Sequence, residues 1–201
     1  TLNLFYPKMI SILGFLLFIL HPRIFAQSFY NSKDIIFLVF FCISNFYLIK
    51  FFITKKIKYI YILSFIASLT IGTRVMGLMI PILFILFFLL ENLEKNKYKN
   101  IYHLIPFIVS TFILTIIFWP YLWENPLNLF ISFKSMGDYD WKGLVFFESE
   151  YYSGQYLPWY YLPKIILITS PILYILLFAI GSILIFKILL SNLINLQDSS
   201  R

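Results

Sequence analysis

The sequence predicts an all-α fold: a polytopic transmembrane helical bundle, about six membrane segments with a long extracytoplasmic loop. Three observations predict it. Hydrophobic residues make up 61% of the chain and charged residues 12%, where a soluble domain carries roughly twice that charge. Mean hydropathy is +0.86, so the bilayer can serve as the solvent for most of the surface. The lysines behind the formal charge of +7 gather at the ends of apolar runs. That is the pattern of topology signals, not of a nucleic-acid surface.

The apolar runs are residues 4–20, 35–53, 59–71, 75–90, 101–121 and 165–190. A helix needs roughly 20 residues to cross a hydrocarbon core of about 30 Å. The second, fifth and sixth runs meet that length. The third and fourth are shorter and are separated only by Gly72-Thr73-Arg74. Joined as one helix they would measure about 48 Å, well beyond the bilayer. They would also set Lys55, Lys56 and Lys58 opposite Lys95, Lys97 and Lys99. Two passes put both lysine clusters on one side, which the positive-inside rule makes cytoplasmic. The parity then holds along the chain. Lys8 and Lys187 fall inside, whereas residues 21–34, 72–74 and 122–164 fall outside. Residues 122–164 carry Glu124, Asp138, Asp140, Glu148 and Glu150 against Lys134 and Lys142, a balance that fits an outer face. Residues 1–201 read as a single transmembrane domain. Cys42 lies inside an apolar run and reads as a small buried filler, with no second cysteine to pair with.

The polar residues worth explaining all fall on the outer side. The stretch His21-Pro-Arg-Ile-Phe-Ala-Gln-Ser-Phe-Tyr-Asn-Ser-Lys-Asp34 is a charge-bearing turn between two apolar runs. Arg23 and Lys33 read either as interfacial anchors or as holders of a phosphate or pyrophosphate. Asp34 reads as the N-cap of a helix starting at Ile35, or as a carboxylate that orients an acceptor, assists proton transfer or binds a divalent cation. Arg74 sits at the tip of two short passes, within the membrane zone. It either snorkels to the headgroups or offers its planar fork to an anionic headgroup. Tyr160 and Tyr161 read as an interfacial aromatic belt. Asp138-Tyr139-Asp140-Trp141 and Trp159 place aromatic faces beside carboxylates, a combination that suits sugar rings.

These residues resemble a family. The stretches HPRIFAQSFYNSKDI at 21–35, IGTRVMGL at 71–78 and WPYLWENPLNLF at 119–130 are similar to those of bacterial GT-C glycosyltransferases. So are Asp140-Trp-Lys-Gly143 and Leu157-Pro-Trp-Tyr-Tyr-Leu-Pro163. The group in question is related to protein O-mannosyltransferases and the lipid A aminoarabinose transferase (family 39-like). The resemblance implies a GT-C-like fold and a polyprenyl-phosphate sugar donor. It implies inverting transfer to an acceptor on the periplasmic face of a bacterial inner membrane. It implies that Arg23 and Arg74, with Lys33, contact the donor phosphate, and that Asp34 belongs to the second outer-loop motif in a supporting catalytic role. Asp138, Asp140, Trp141 and Trp159 would form the sugar and acceptor loop.

The chain departs from the family at its start, where nothing in residues 1–9 supplies the catalytic acid of the first outer loop. An N-terminally truncated fragment, inactive alone, is the expectation. The spacing around Asn31–Asp34 does not support a divalent metal, and His21 and His103 fall on opposite sides, so no cofactor is implied. The expected partners are a lipid-linked sugar donor and membrane lipids. The contrasting reading is a multipass transporter or lipid flippase whose path is lined by Arg23, Arg74 and Asp34.

Overall fold

Helices dominate the chain, and what starts and stops each of them decides where the polar residues come to lie. The computed structural model describes residues 4–95, 101–138 and 143–199. In order the helices are α1 (Lys8–Ile19), α2 (Pro22–Tyr30), α3 (Ser32–Thr54), α4 (Lys58–Thr73) and α5 (Met79–Lys95). They continue as α6 (Ile101–Phe118), α7 (Tyr121–Glu124), α8 (Asn128–Gly137), α9 (Tyr161–Thr169) and α10 (Ile172–Ser199). A 3-10 turn covers Val75–Leu78, and strands β1 (Leu144–Phe147) and β2 (Glu150–Ser153) form an antiparallel hairpin, so the fold is mostly rather than wholly α.

Two stretches, α3 and Val75–Asn92, are long and apolar enough to cross a membrane. The number rises to four if α1 with α2, and α9 with α10, each count as one bent span. The helix lengths thus give two to four spans where the hydropathy runs suggest six. α4 and α6 are apolar but shorter. The run at 165–190 is not one rod. It breaks between α9 and α10 with a bend of 116°. Pro171 has no N–H to continue the ladder and pushes Ser170 into extended backbone, φ −93° and ψ 131°.

The chain forms two compact units, one of Thr1–Phe18 with Gln27–Asp140, the other of Ile19–Ala26 with Trp141–Arg201. In the first, α4 is the centre. Its buried residues Ile60, Leu63, Ser64, Ala67, Ser68, Thr70 and Ile71 cover more than one face. Leu48 and Phe51 of α3, Ile80 and Phe84 of α5 and Phe107 of α6 close around them. Small and hydroxylated residues permit this close approach, as in helix packing within membranes. Ser44 and Thr70 share a hydrogen bond of 3.3 Å, Ser110 donates to Ser64 at 2.7 Å, and Ser64 donates to the Phe107 carbonyl at 3.4 Å. A helix enclosed this way gains little from being long enough to meet lipid at both ends, which accounts for the brevity of α4. Contacts from end to end show that α3, α4, α5 and α6 alternate in direction. Lys55 of the α3–α4 turn pairs with Glu91 of α5, and His103 of α6 meets Phe51. Asp34, Arg74 and Trp119 lie at the opposite end.

Within the second unit, the hairpin packs Phe147 against Tyr160 and Tyr161 of the α9 start. His21 meets Tyr174 of α10 edge-on, with ring centroids 4.7 Å apart. The connection at 122–164 is therefore not a bare loop, since it holds α7, α8 and the hairpin. Cys42 is exposed on α3 and is not the buried filler that its apolar neighbours suggested.

Candidate functional site

The stretch at 21–34 is not a turn. α2 occupies most of it, begun by Pro22 at a position where the missing N–H costs nothing. His21 Nδ1 accepts from the Arg23 backbone N–H at 3.2 Å. A short break at Asn31 then starts α3. Asn31 is its cap, because Asn31 Oδ1 accepts from the Asp34 N–H at 3.3 Å. This corrects the expectation that Asp34 caps a helix beginning at Ile35: α3 begins at Ser32, and Asp34 falls in its first turn. There a carboxylate is favoured by the positive end of the helix. Asn31 Nδ2 returns a hydrogen bond to Asp34 Oδ2, so cap and carboxylate hold each other reciprocally.

Arg74 comes to the same place by a different route. It lies between α4 and the 3-10 turn in extended backbone, φ −150° and ψ 135°. Its N–H donates to the Thr70 carbonyl at 3.1 Å, and its carbonyl accepts from Gly77 at 2.8 Å. The turn is tight enough that a Cβ on Gly77 would sit 2.6 Å from Ile71 N and Thr70 C. Only glycine fits that approach. The backbone thus fixes where the guanidinium starts, and an ion pair to Asp34 Oδ1 fixes where one of its nitrogens ends. Arg74 Nε is buried and has no hydrogen-bond partner among the described residues. A buried guanidinium N–H without an acceptor is costly unless a ligand supplies one.

Two cavities share Arg74. One, about 310 Å³, is lined by Lys33, Gly72, Thr73, Arg74 and Val75, and is roofed by Trp119 and Met136. The roof is set by the sequence from Trp119 onward. Trp123 Nε1 donates to the Ile116 carbonyl at 2.7 Å, covering the α6 end. Leu122 and Leu129 are buried against Ile71, which seats α7 and α8 over the α4 end. The other cavity, about 360 Å³, is an apolar groove lined by Phe37, Leu38, Phe41, Met76 and Met79, with Asp34 and Arg74 at its edge. Cationic donors on one side and hydrocarbon on the other describe a place for an amphiphile with an anionic head.

Of the residues singled out from sequence, Lys33, Asp34 and Arg74 are brought together here. Asp138 ends α8, is exposed, and lines neither cavity. Asp140 and Trp141 lie outside the described residues. Arg23 belongs to the second unit, where its guanidinium donates to Thr169 Oγ1 at 3.4 Å, at the negative end of α9. Trp159 is also in that unit and is 88% exposed. Tyr160 and Tyr161, read from sequence as an interfacial belt, are half-buried against Phe147. Among the described residues no group of three or more His, Cys, Asp or Glu could hold a metal ion.

The second unit contains a cluster that sequence reasoning passed over. Glu148 accepts from Lys164 Nζ on one oxygen and from Tyr160 Oη at 3.0 Å on the other. Lys164 and then Tyr160 hold the Glu148 carboxyl below its ordinary value, and the same bond pushes the Tyr160 phenol up. Asn31 was also missed, although Asn-x-x-Asp is the spacing of a reciprocal cap. Met136 carried no signal, because only the folding of α8 brings it into the cavity lining with Arg74; Trp119 opened a stretch quoted for its likeness to a family but was given no site role.

No protein-family model, curated protein or solved structure matches this chain. Fold and site together define a mostly helical protein with two or more apolar helices able to span a membrane. Its cationic cavity opens beside an apolar groove at one end of the helices.

Proposed function

We propose that this chain binds a polyprenyl-phosphate-linked sugar and takes part in transferring that sugar to an acceptor at the outer face of a bacterial inner membrane, as a GT-C-type glycosyltransferase. The observation that carries the reading is Arg74, shared by a cationic cavity and an apolar groove and holding one buried N–H in reserve. The phosphate takes Arg74 and Lys33, the prenyl chain takes the Phe37–Phe41–Met79 groove, and the sugar lies under Trp119 and Met136. In the transfer step these two cations offset the charge growing on the departing phosphate. In the unliganded site Asp34 holds Arg74, with Asn31 on its other oxygen.

The test is native mass spectrometry of the protein with undecaprenyl phosphate and with the matching neutral alcohol. The phosphate is expected to bind and the alcohol not. Arg74→Ala should remove the difference, and equal retention of both lipids by the unaltered protein would sink the proposal. One feature favours a transporter or flippase instead: the helical path is broken at Arg74 between α4 and α5. That reading requires lipid or sugar movement between leaflets of reconstituted vesicles, with no covalent transfer.

A further inference from the structure

Asp34 does more than accompany Arg74. Its carboxylate is presented to the guanidinium as a phosphate oxygen would be, and it is held there by Asn31, the cap of α3. Asn31 bonds both the backbone N–H and the Oδ2 of Asp34, leaving Oδ1 for Arg74. The arrangement leaves the guanidinium half used, with one nitrogen paired and Nε buried without an acceptor. Lys33, on the same first turn of α3, lines the 310 Å³ cavity on the other side of Arg74.

We propose that Asp34 is a built-in competitor for the anion site: its carboxylate occupies the Arg74 fork when no ligand is bound, and the phosphate group of an incoming phosphate ester displaces it. The identity of the phosphate as a lipid headgroup rests on the reading above; the competition itself does not. Three physical points support the exchange. The pair is only partly withdrawn from water, with side-chain exposures of 35% for Arg74 and 41% for Asp34. Such pairs are worth about 1 kcal/mol or less, so a phosphate that contacts the guanidinium through two oxygens can replace a carboxylate that offers it one. Arg74 has a donor that Asp34 does not use, so a two-oxygen ligand gains a contact that the internal pair lacks. The displaced carboxylate is not stranded, because Asn31 still holds Oδ2. A neutral lipid offers nothing in exchange for the ion pair. Asp34 therefore acts as a filter for charge as well as a plug.

The experiment uses the full chain in lipid nanodiscs and an arginine-selective dicarbonyl reagent, with modification of Arg74 followed by peptide mass spectrometry. Asp34→Asn keeps the shape and the Asn31 contact but removes the charge. Arg74 in this variant should be modified faster than in the unaltered protein. Farnesyl phosphate should protect Arg74 at a concentration lower by about fivefold, the equivalent of an ion pair of this exposure. Asn31→Ala, which frees Asp34 to turn away, should move in the same direction by less. Equal labelling and equal protection in the unaltered and Asp34→Asn proteins overturn the proposal. Farnesyl phosphate protecting no better than farnesol overturns the lipid-donor reading. In that event inorganic phosphate decides the competition: earlier protection in Asp34→Asn upholds it, and no protection of either protein overturns it.

Discussion

Two ion pairs in this chain use the same chemistry and differ in what they leave over. Asp34 with Arg74 spends one nitrogen of the guanidinium, leaves Nε buried and unmatched, and borders two cavities. Glu148 with Lys164 is closed: Tyr160 fills the other carboxylate oxygen, and the Lys164 ammonium lies 5.4 Å from the centre of the Phe147 ring. The first arrangement has donors to spare and space beside them. The second has both carboxylate oxygens filled, and ties the tip of a hairpin to the start of α9. A charged pair is a candidate binding site when its hydrogen bonding is incomplete, and a clip when it is complete.

The strongest way to break this contrast is to disturb the backbone that presents Arg74. Gly77→Ala places a Cβ 2.6 Å from backbone atoms of Thr70 and Ile71, which cannot yield as a flexible side chain would. The turn must open, at a cost of about 1–3 kcal/mol. A lower thermal midpoint of the purified protein, together with loss of lipid-phosphate binding, is expected. An unchanged midpoint would mean that the turn is not the rigid support described here. The companion Gly72→Ala should be mild, since its nearest neighbour, the Phe118 carbonyl oxygen, is 3.9 Å away.

Removing one cation from each pair comes next. Arg74→Ala should lower affinity for prenyl phosphate by about tenfold or more, the loss expected when a charge-assisted contact goes. Lys164→Ala should leave that affinity unchanged while loosening the hairpin. Equilibrium binding by microscale thermophoresis in detergent checks both variants. If Lys164→Ala costs as much binding as Arg74→Ala, the division into an open site and a closed clip fails.

How much of this was legible in the sequence follows the same division. A mostly helical chain with helices apolar enough to span a membrane was, because 61% hydrophobic content is a property of composition. The alternation of α3 to α6 was also legible, since charge asymmetry at helix ends encodes direction. Arg74, Lys33 and Asp34 stood out as charges beside apolar runs, and they do meet. Span lengths were not legible. Hydropathy cannot separate α4, apolar because it is enclosed by helices, from a helix that is apolar because lipid surrounds it. Nor could hydropathy foresee Pro171 turning the run at 165–190 through 116°, because proline is itself no obstacle to a high mean hydropathy. The cap was misread because Asp34 adjoins the apolar run, while Asn31 lies three residues earlier among polar neighbours. The Glu148 clip was hidden for another reason: Lys164 is sixteen residues away and only the hairpin brings it back.

A gentler test uses protons. The Glu148 carboxyl is held below its ordinary value of 4.5 by Lys164 and Tyr160. A depressed carboxyl favours the folded hairpin above the ordinary value, and that contribution disappears as pH falls through the lowered one. Amide protection in β1 and β2, measured against the intrinsic exchange rate at each pH, should therefore fall on acidification below pH 4.5. Glu148→Gln should exchange faster at neutral pH and lose the acid dependence. A pH profile identical in the two proteins would exclude Glu148 as the clip.

The smallest expected effect asks why the clip exists. Glu148 and Ser149, the two residues joining β1 to β2, have φ of 53° and 67°. Hairpins of this length favour positive φ at both central positions, which is why they prefer Asn-Gly. Here neither residue is glycine, so the turn is held against a local preference of about 1–2 kcal/mol per residue. At Glu148 the compensation is visible in Lys164 and Tyr160; at Ser149 no side-chain bond offsets it. Glycine at the two positions should therefore act in opposite directions. Ser149→Gly relieves the backbone without touching the clip and should slow exchange at Val145 and Tyr152, which face each other across the ladder, by a gain of about 1 kcal/mol or less. Glu148→Gly relieves the same dihedral cost but removes the carboxylate, and exchange should quicken. Were both substitutions to slow exchange alike, the turn would be strained without the ion pair being its remedy, and the hairpin would need another anchor.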